Sequence, residues 1–207
     1  MEDILTQYQL PYDPLRPVIC YDERPCFLIG DKIVPLPISP GKPKREDYHY
    51  ERHGVCNLGI AFEPLTGFRY VQITDRRTYK EYAHFLKAIA ETHYAHAERI
   101  TLVQDNLNTH TPAAFYHEFE AQPAFELTER FEMHYTPTNG SWLNMAEIEL
   151  SAISRQCLNR RIGDKQTLCQ EVIACVKQRN AKRIKVNWQF SVNKARDKFQ
   201  RFYSNTS

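Results

Sequence analysis

Apolar and polar positions divide this chain into short blocks of changing period. Residues 16–22 contain Val18-Ile-Cys-Tyr21, an uninterrupted β-branched and aromatic run that predicts a strand covered on both faces. Residues 55–62 and 68–74 have the same character and flank Glu63-Pro-Leu-Thr-Gly67, so they predict a hairpin. Between the first strand and the hairpin, residues 30–52 hold Pro35, Pro37, Pro40 and Pro43 and read as an extended loop. At Thr78 the period becomes helical. Tyr82, Phe85, Leu86, Ile89 and Ala90 share one stripe, and Thr78 with Glu81 has capping-box spacing, so a helix is expected to about residue 96. Residues 100–105 repeat the buried-strand pattern, 112–121 read as a short helix with Pro at its start, and 131–135 as a further strand. Helical patterns cover 141–160, 165–182 and 192–202, with Ser141 as the expected cap of the first. Residues 1–16, polar and acidic and punctuated by proline, read as a linker stump ahead of a core at 17–163 and a basic helical extension at 164–207. A hairpin-bearing set of strands followed by alternating strands and helices predicts one α/β domain with a mixed sheet covered by helices.

Composition narrows the class. The longest apolar run is Val172–Val176, far short of the roughly 18 residues of a membrane span, and Glu2 and Asp3 occupy the place of a signal peptide's basic and apolar segments. A soluble, cytoplasmic protein is expected. The six cysteines include no C-x-x-C pair and read as reduced thiols; His49, His53 and Cys56 lack the second pair that a zinc site requires. No glycine-rich nucleotide loop is present. The formal net charge of +2 is a cancellation. Residues 155–207 carry 13 Lys+Arg against 3 Asp+Glu, a net of +10, whereas 1–154 carry 14 against 22, a net of −8. A polyanionic partner for the basic part, or a plainly solvated helical face, both fit that asymmetry.

Two acids stand in odd places. Asp22 ends the first buried run and Asp105 the second, and a carboxylate there is costly unless paired, hydrogen-bonded or bound to a metal. If the two strands are neighbours, both acids converge on one cation; if not, each serves a local turn or ion pair, as Asp105-Asn106 and Asp22-Glu23-Arg24 would allow. A third acid lies on the 141–160 helix. Its apolar stripe comprises Trp142, Leu143, Met145, Ala146, Leu150 and Ile153, and Glu147 and Glu149 fall on opposite flanks, so periodicity does not choose between them. Three oxygen ligands without His or Cys suit Mg²⁺ or Mn²⁺. Two such ions would activate a nucleophilic oxygen and stabilise the leaving 3′ oxygen in phosphodiester attack.

Tyr-Asp22-Glu-Arg-Pro, Val-Gln-Asp105-Asn-Leu-Asn-Thr-His110 and Tyr135-Thr-Pro-Thr-Asn-Gly-Ser-Trp-Leu-Asn-Met-Ala-Glu147 together resemble the catalytic core of DDE transposases, in particular the bacterial insertion-sequence branch of the mariner-like superfamily. The resemblance runs from about Val18 to at least Arg161. It implies an RNase H-like fold, a mixed five-stranded sheet flanked by helices, with Asp22, Asp105 and Glu147 as catalytic residues holding two Mg²⁺ or Mn²⁺. It selects Glu147 over Glu149, which remains the reserve acid. It also implies DNA-end cleavage and strand transfer into target DNA, on a homodimer acting at the nucleoid. Asn106 and His110 are candidate residues for orienting Asp105 or touching a phosphate, with a plain turn and helix start as the other reading. Trp142 is expected to pack in the core rather than stack on a displaced base. Lys42, Lys44 and Arg45 in the Pro-rich loop, with Arg179, Lys182, Arg183 and Lys185, are candidate phosphate contacts in DNA binding. Full-length relatives carry helix-turn-helix modules ahead of the core, so an upstream helix-turn-helix polypeptide is an expected partner. The competing expectations are a structure-specific nuclease of the same fold and a non-catalytic remnant that binds DNA or a full-length transposase.

Overall fold

The computed structural model of the chain describes residues 1–42, 45 and 47–200. Five strands, β1 (Val18–Asp31), β2 (Tyr50–Glu63), β3 (Phe68–Thr74), β4 (Ile100–Gln104) and β5 (Phe131–Tyr135), form one sheet in the spatial order β3-β2-β1-β4-β5. The β1, β2 and β3 pairings are antiparallel, whereas β4 runs parallel to both β1 and β5. Helices α1 (Glu2–Gln7), α2 (Tyr79–Thr92), α3 (Ala113–Glu118), α4 (Ala121–Arg130), α5 (Met145–Cys157), α6 (Lys165–Ala181) and α7 (Val192–Lys198) complete the described chain.

Strand alternation sends successive side chains to opposite faces, and two apolar clusters follow from it. Ile19, Tyr21, Ala61 and Leu102 point to the back, where Tyr82, Phe85, Leu86 and Ile89 of α2 cover them together with Phe115 of α3. Cys20, Leu58, Ile60 and Val103 point to the front, against Met145, Ala146, Leu150 and Ile153 of α5 and Val172 of α6. The predicted capping box of α2 is present, with Thr78 accepting from Lys80 N and Glu81 accepting from Thr78 N.

Several elements depart from the sequence pattern. Residues 2–7, expected within a linker, are helical because Ile4 and Leu5 are fully buried in the front cluster, which stabilises the segment by about 1.5–3 kcal/mol per side chain. Helix α4 was not predicted, since Ala124 and Leu127 alone are buried along it and make too narrow a stripe. Strand β1 continues nine residues past Asp22 and pairs with β2 as far as Asp31↔Tyr50, forming a ribbon that carries the Pro-rich loop. That loop folds back on itself through bridges between Leu36 and Arg45 and between Ser39 and Lys42.

A buried ion cluster ties α5 and α6 to β3. Glu149, 1% exposed, accepts from Arg179 Nε at 2.5 Å and Nη2 at 3.0 Å, and faces Arg69 Nε at 2.8 Å. Arg69 also donates to the carbonyls of Gly67 at 2.8 Å and Ile184 at 2.6 Å. The two guanidinium groups compensate the carboxylate that burial would otherwise penalise.

Candidate active site

The parallel register aligns the two aspartates. Cys20 pairs with Val103, and Asp22 and Asp105 each lie two residues further on, side by side where the β1–β4 ladder ends. Cys20 and Val103 both belong to the front cluster, so alternation directs Asp22 and Asp105 to the face covered by α5.

Helix α5 is held to that face at its first turn. The cap is Asn144 rather than the expected Ser141, which begins a short 3₁₀ turn: Asn144 Oδ1 accepts from Ala146 N at 3.1 Å. Its Nδ2 donates to the carbonyl of Tyr21 at 2.7 Å, immediately before Asp22. Tyr8, just after α1, adds a second tie by donating to the carbonyl of Leu143 at 2.8 Å. Glu147 therefore projects from the first turn of a helix fastened to the backbone beside Asp22.

Asp22 is a perturbed carboxylate. Burial foremost, then the charges of Asp105 and Glu147, push Asp22 up to about 7, against the lowering effect of Glu23 N–H, which donates to its Oδ1 at 2.7 Å. Among the described residues no group of three or more His, Cys, Asp or Glu side chains is placed to hold a metal ion. The three side chains offer hard oxygen donors with excess negative charge, which fits a divalent cation of the Mg²⁺ or Mn²⁺ type.

Behind Asp105 lies a buried polar chain. His110, fully buried, places Nδ1 2.5 Å from Asp105 Oδ1, while its Nε2 faces Glu23 Oε1 at 3.8 Å. Burial alone would lower the His110 pKa, but the bond to Asp105 and the nearby charges of Asp105 and Glu23 outweigh it and push it up to about 9. Glu23 is also buried, which favours its neutral form, yet His110, Tyr21 and Arg77 together hold it below the usual carboxylate range. Tyr21 OH donates to Glu23, and Arg77 Nε lies 2.6 Å from its Oε2. The sequence reading missed this role of Glu23, which it grouped with Arg24; Arg24 bonds to Ser154 on α5 instead. Two consecutive acids on a buried strand were the available signal, because alternation must send one of them to each face.

The other expected residues fall into three groups. Asn106 is exposed, and the hydrogen bond orienting Asp105 comes from His110. Glu149 and Arg179 pair with each other inside the protein, so the carboxylate expected as a reserve ligand and the guanidinium expected on a phosphate are each engaged by the other. Lys42 and Arg45 are exposed on the Pro-rich loop, and Lys44 lies outside the described residues. Lys182, Arg183 and Lys185 are exposed after α6, where the Arg183–Ile184 backbone packs against Gly67 in the β2–β3 turn. That turn lies at the end of the sheet away from the carboxyl ends of β1 and β4, so the three basic residues are anchored at the opposite end. Trp142 is 42% exposed rather than in the core, with its ring edge-on to Phe190 at 5.4 Å.

A mixed five-stranded sheet in the order β3-β2-β1-β4-β5, flanked by helices on both faces, is an RNase H-like fold. The profile of the DDE superfamily endonuclease family matches residues 17–169, and the chain belongs to that family. Comparison with curated proteins gives no match. Among solved structures, the Mos1 mariner paired-end complex with Mn superimposes with a TM-score of 0.59 at 16% identity, over 88% of this chain and 55% of that one. The Mos1 transposase paired-end complex with the left transposon end gives 0.57 at 16% identity, over 88% and 55%, and a pre-cleavage Mos1 transpososome gives 0.53 at 16% identity, over 88% and 58%. The chain thus shares its fold with proteins of which it spans little more than half. No described helix is long and apolar enough to cross a membrane.

Proposed function

We propose that the chain is the catalytic domain of a mariner-like DDE transposase of the bacterial insertion-sequence branch, which cleaves DNA at element ends and transfers the freed 3′ strands into target DNA. The observation that carries this reading is the parallel β1–β4 register, which sets Asp22 beside Asp105 on the face where Asn144 fastens the Glu147 helix. Asp22, Asp105 and Glu147 would hold two Mg²⁺ or Mn²⁺. When bound, such ions supply an activated oxygen nucleophile and stabilisation of the leaving 3′ oxygen. The protein's own part is to fix the ligand directions: Asn144 sets the helix, Glu23 N–H holds Asp22, and His110 holds Asp105.

The DNA partners are the element ends and the target duplex. Lys182, Arg183 and Lys185 would grip phosphates away from the reacting one, with Lys42, Lys44 and Arg45 on the projecting loop. A homodimer on DNA is part of the proposal, supported by exposed apolar side chains along that loop and its ribbon, among them Val34, Ile38 and Tyr48. An upstream helix-turn-helix polypeptide would supply recognition of the end sequence.

The test is Mg²⁺-dependent strand transfer on short element-end DNA, comparing the chain with Asp105→Asn. The expected result is joined product from the chain, alone or with the helix-turn-helix polypeptide added, and none from the variant. Equal product from both overturns the catalytic assignment. Cleavage without joining identifies a nuclease, and DNA binding without either reaction identifies a non-catalytic remnant.

A further inference from the structure

The β1–β4 ladder ends at Cys20↔Val103, so Asp105 stands just past the last ladder residue of β4, at the start of an irregular segment. A carboxylate in that position needs an external brace to keep its direction. His110 provides one through its 2.5 Å contact, and His110 is itself immobilised. Its ring stacks on Tyr82 with centroids 4.8 Å apart, Tyr21 meets it edge-on at 5.3 Å, and its carbonyl accepts from Gln104 Nε2 at 3.0 Å. The far ring nitrogen, Nε2, is buried without a hydrogen-bond partner and is aimed at Glu23 Oε1, 3.8 Å away.

We propose that Glu23 is a positioning residue for Asp105, acting through His110. Asp22 and Glu23 are consecutive on β1 and project to opposite faces. One strand thus presents the first carboxylate directly on the front and, through the back of the sheet, sets the direction of the second. Arg77 Nε, 2.6 Å from Glu23 Oε2, and the Tyr21 hydroxyl hold Glu23 in place from the other side. The inference rests on the reading of Asp22, Asp105 and Glu147 as metal ligands.

The experiment is Mn²⁺ titration of the full chain, following free Mn²⁺ by electron paramagnetic resonance, with thermal melting in chelator as the control for folding. Glu23→Gln and His110→Gln are each expected to weaken Mn²⁺ binding by about 10-fold or more. The double variant should lose no more than the worse single one, because both changes break the same chain of contacts. Arg77→Gln, on the partly exposed outer partner, should weaken binding several-fold with an unchanged melting temperature, and it decides the matter if Glu23→Gln does not fold. Unchanged Mn²⁺ affinity in folded Glu23→Gln, or losses that multiply in the double variant, overturns the positioning role while leaving the metal site intact. If the unmodified chain and Asp22→Asn bind Mn²⁺ equally or not at all, the metal reading itself fails, and this inference with it.

Discussion

Asp22→Asn should stabilise the metal-free protein. The folded chain pushes Asp22 up to about 7 from an ordinary 3.8, mainly by burial and then by the charges of Asp105 and Glu147. A raised folded-state pKa means that the folded state prefers the protonated form. Below about pH 4 both folded and unfolded chains are protonated and nothing is lost; as the pH rises through 7 the folded chain must carry a carboxylate it disfavours. At 1.36 kcal/mol per pH unit, the difference of about 3 units corresponds to about 4 kcal/mol at most. Asparagine keeps an oxygen to accept from Glu23 N–H and removes the charge. Urea unfolding in chelator should therefore show Asp22→Asn more stable by about 2–4 kcal/mol at pH 8 and nearly equal to the unmodified chain at pH 4. Millimolar Mn²⁺ at pH 8 should close the gap by stabilising the unmodified chain alone. A stability difference that is absent at pH 8, or independent of pH, would refute the argument that burial, with the neighbouring carboxylates second, makes the charged form of Asp22 unfavourable.

Two further substitutions separate structure from chemistry. Glu149→Gln leaves Arg69 and Arg179 buried without their carboxylate and should cost about 3–5 kcal/mol in urea unfolding, with Mn²⁺ affinity retained wherever the chain remains folded; a change below 1 kcal/mol would mean the cluster contributes little. Replacing Lys182, Arg183 and Lys185 by Ala should reduce the slope of log affinity for duplex DNA against log salt by about 2.7 if each neutralises one phosphate. An unchanged slope would return these residues to the role of a solvated face.

Local pattern determined much of this protein. The paired strands, the amphipathic α2 with its Thr78 cap and the stripe of α5 are legible because burial and hydrogen bonding impose periods of two and 3.6 on neighbouring residues. Asp22 and Asp105 stood out for the same reason, as acids closing apolar runs. The tertiary structure decided what depends on partners far apart in the chain. Periodicity left Glu147 and Glu149 equivalent; Arg69 and Arg179, 80 and 30 residues away from Glu149, neutralise that one, while the charge of Glu147 reaches Asp22. The same contact removed Arg179 from the basic surface. Residues 2–7 looked like linker because two apolar side chains make no pattern, yet Ile4 and Leu5 fill a cluster assembled from segments as distant as α7. Glu23 became a neighbour of His110 only when β1 and β4 paired. A residue's period is written in its immediate neighbours, but its charge partner is set by which distant surfaces the fold brings against it.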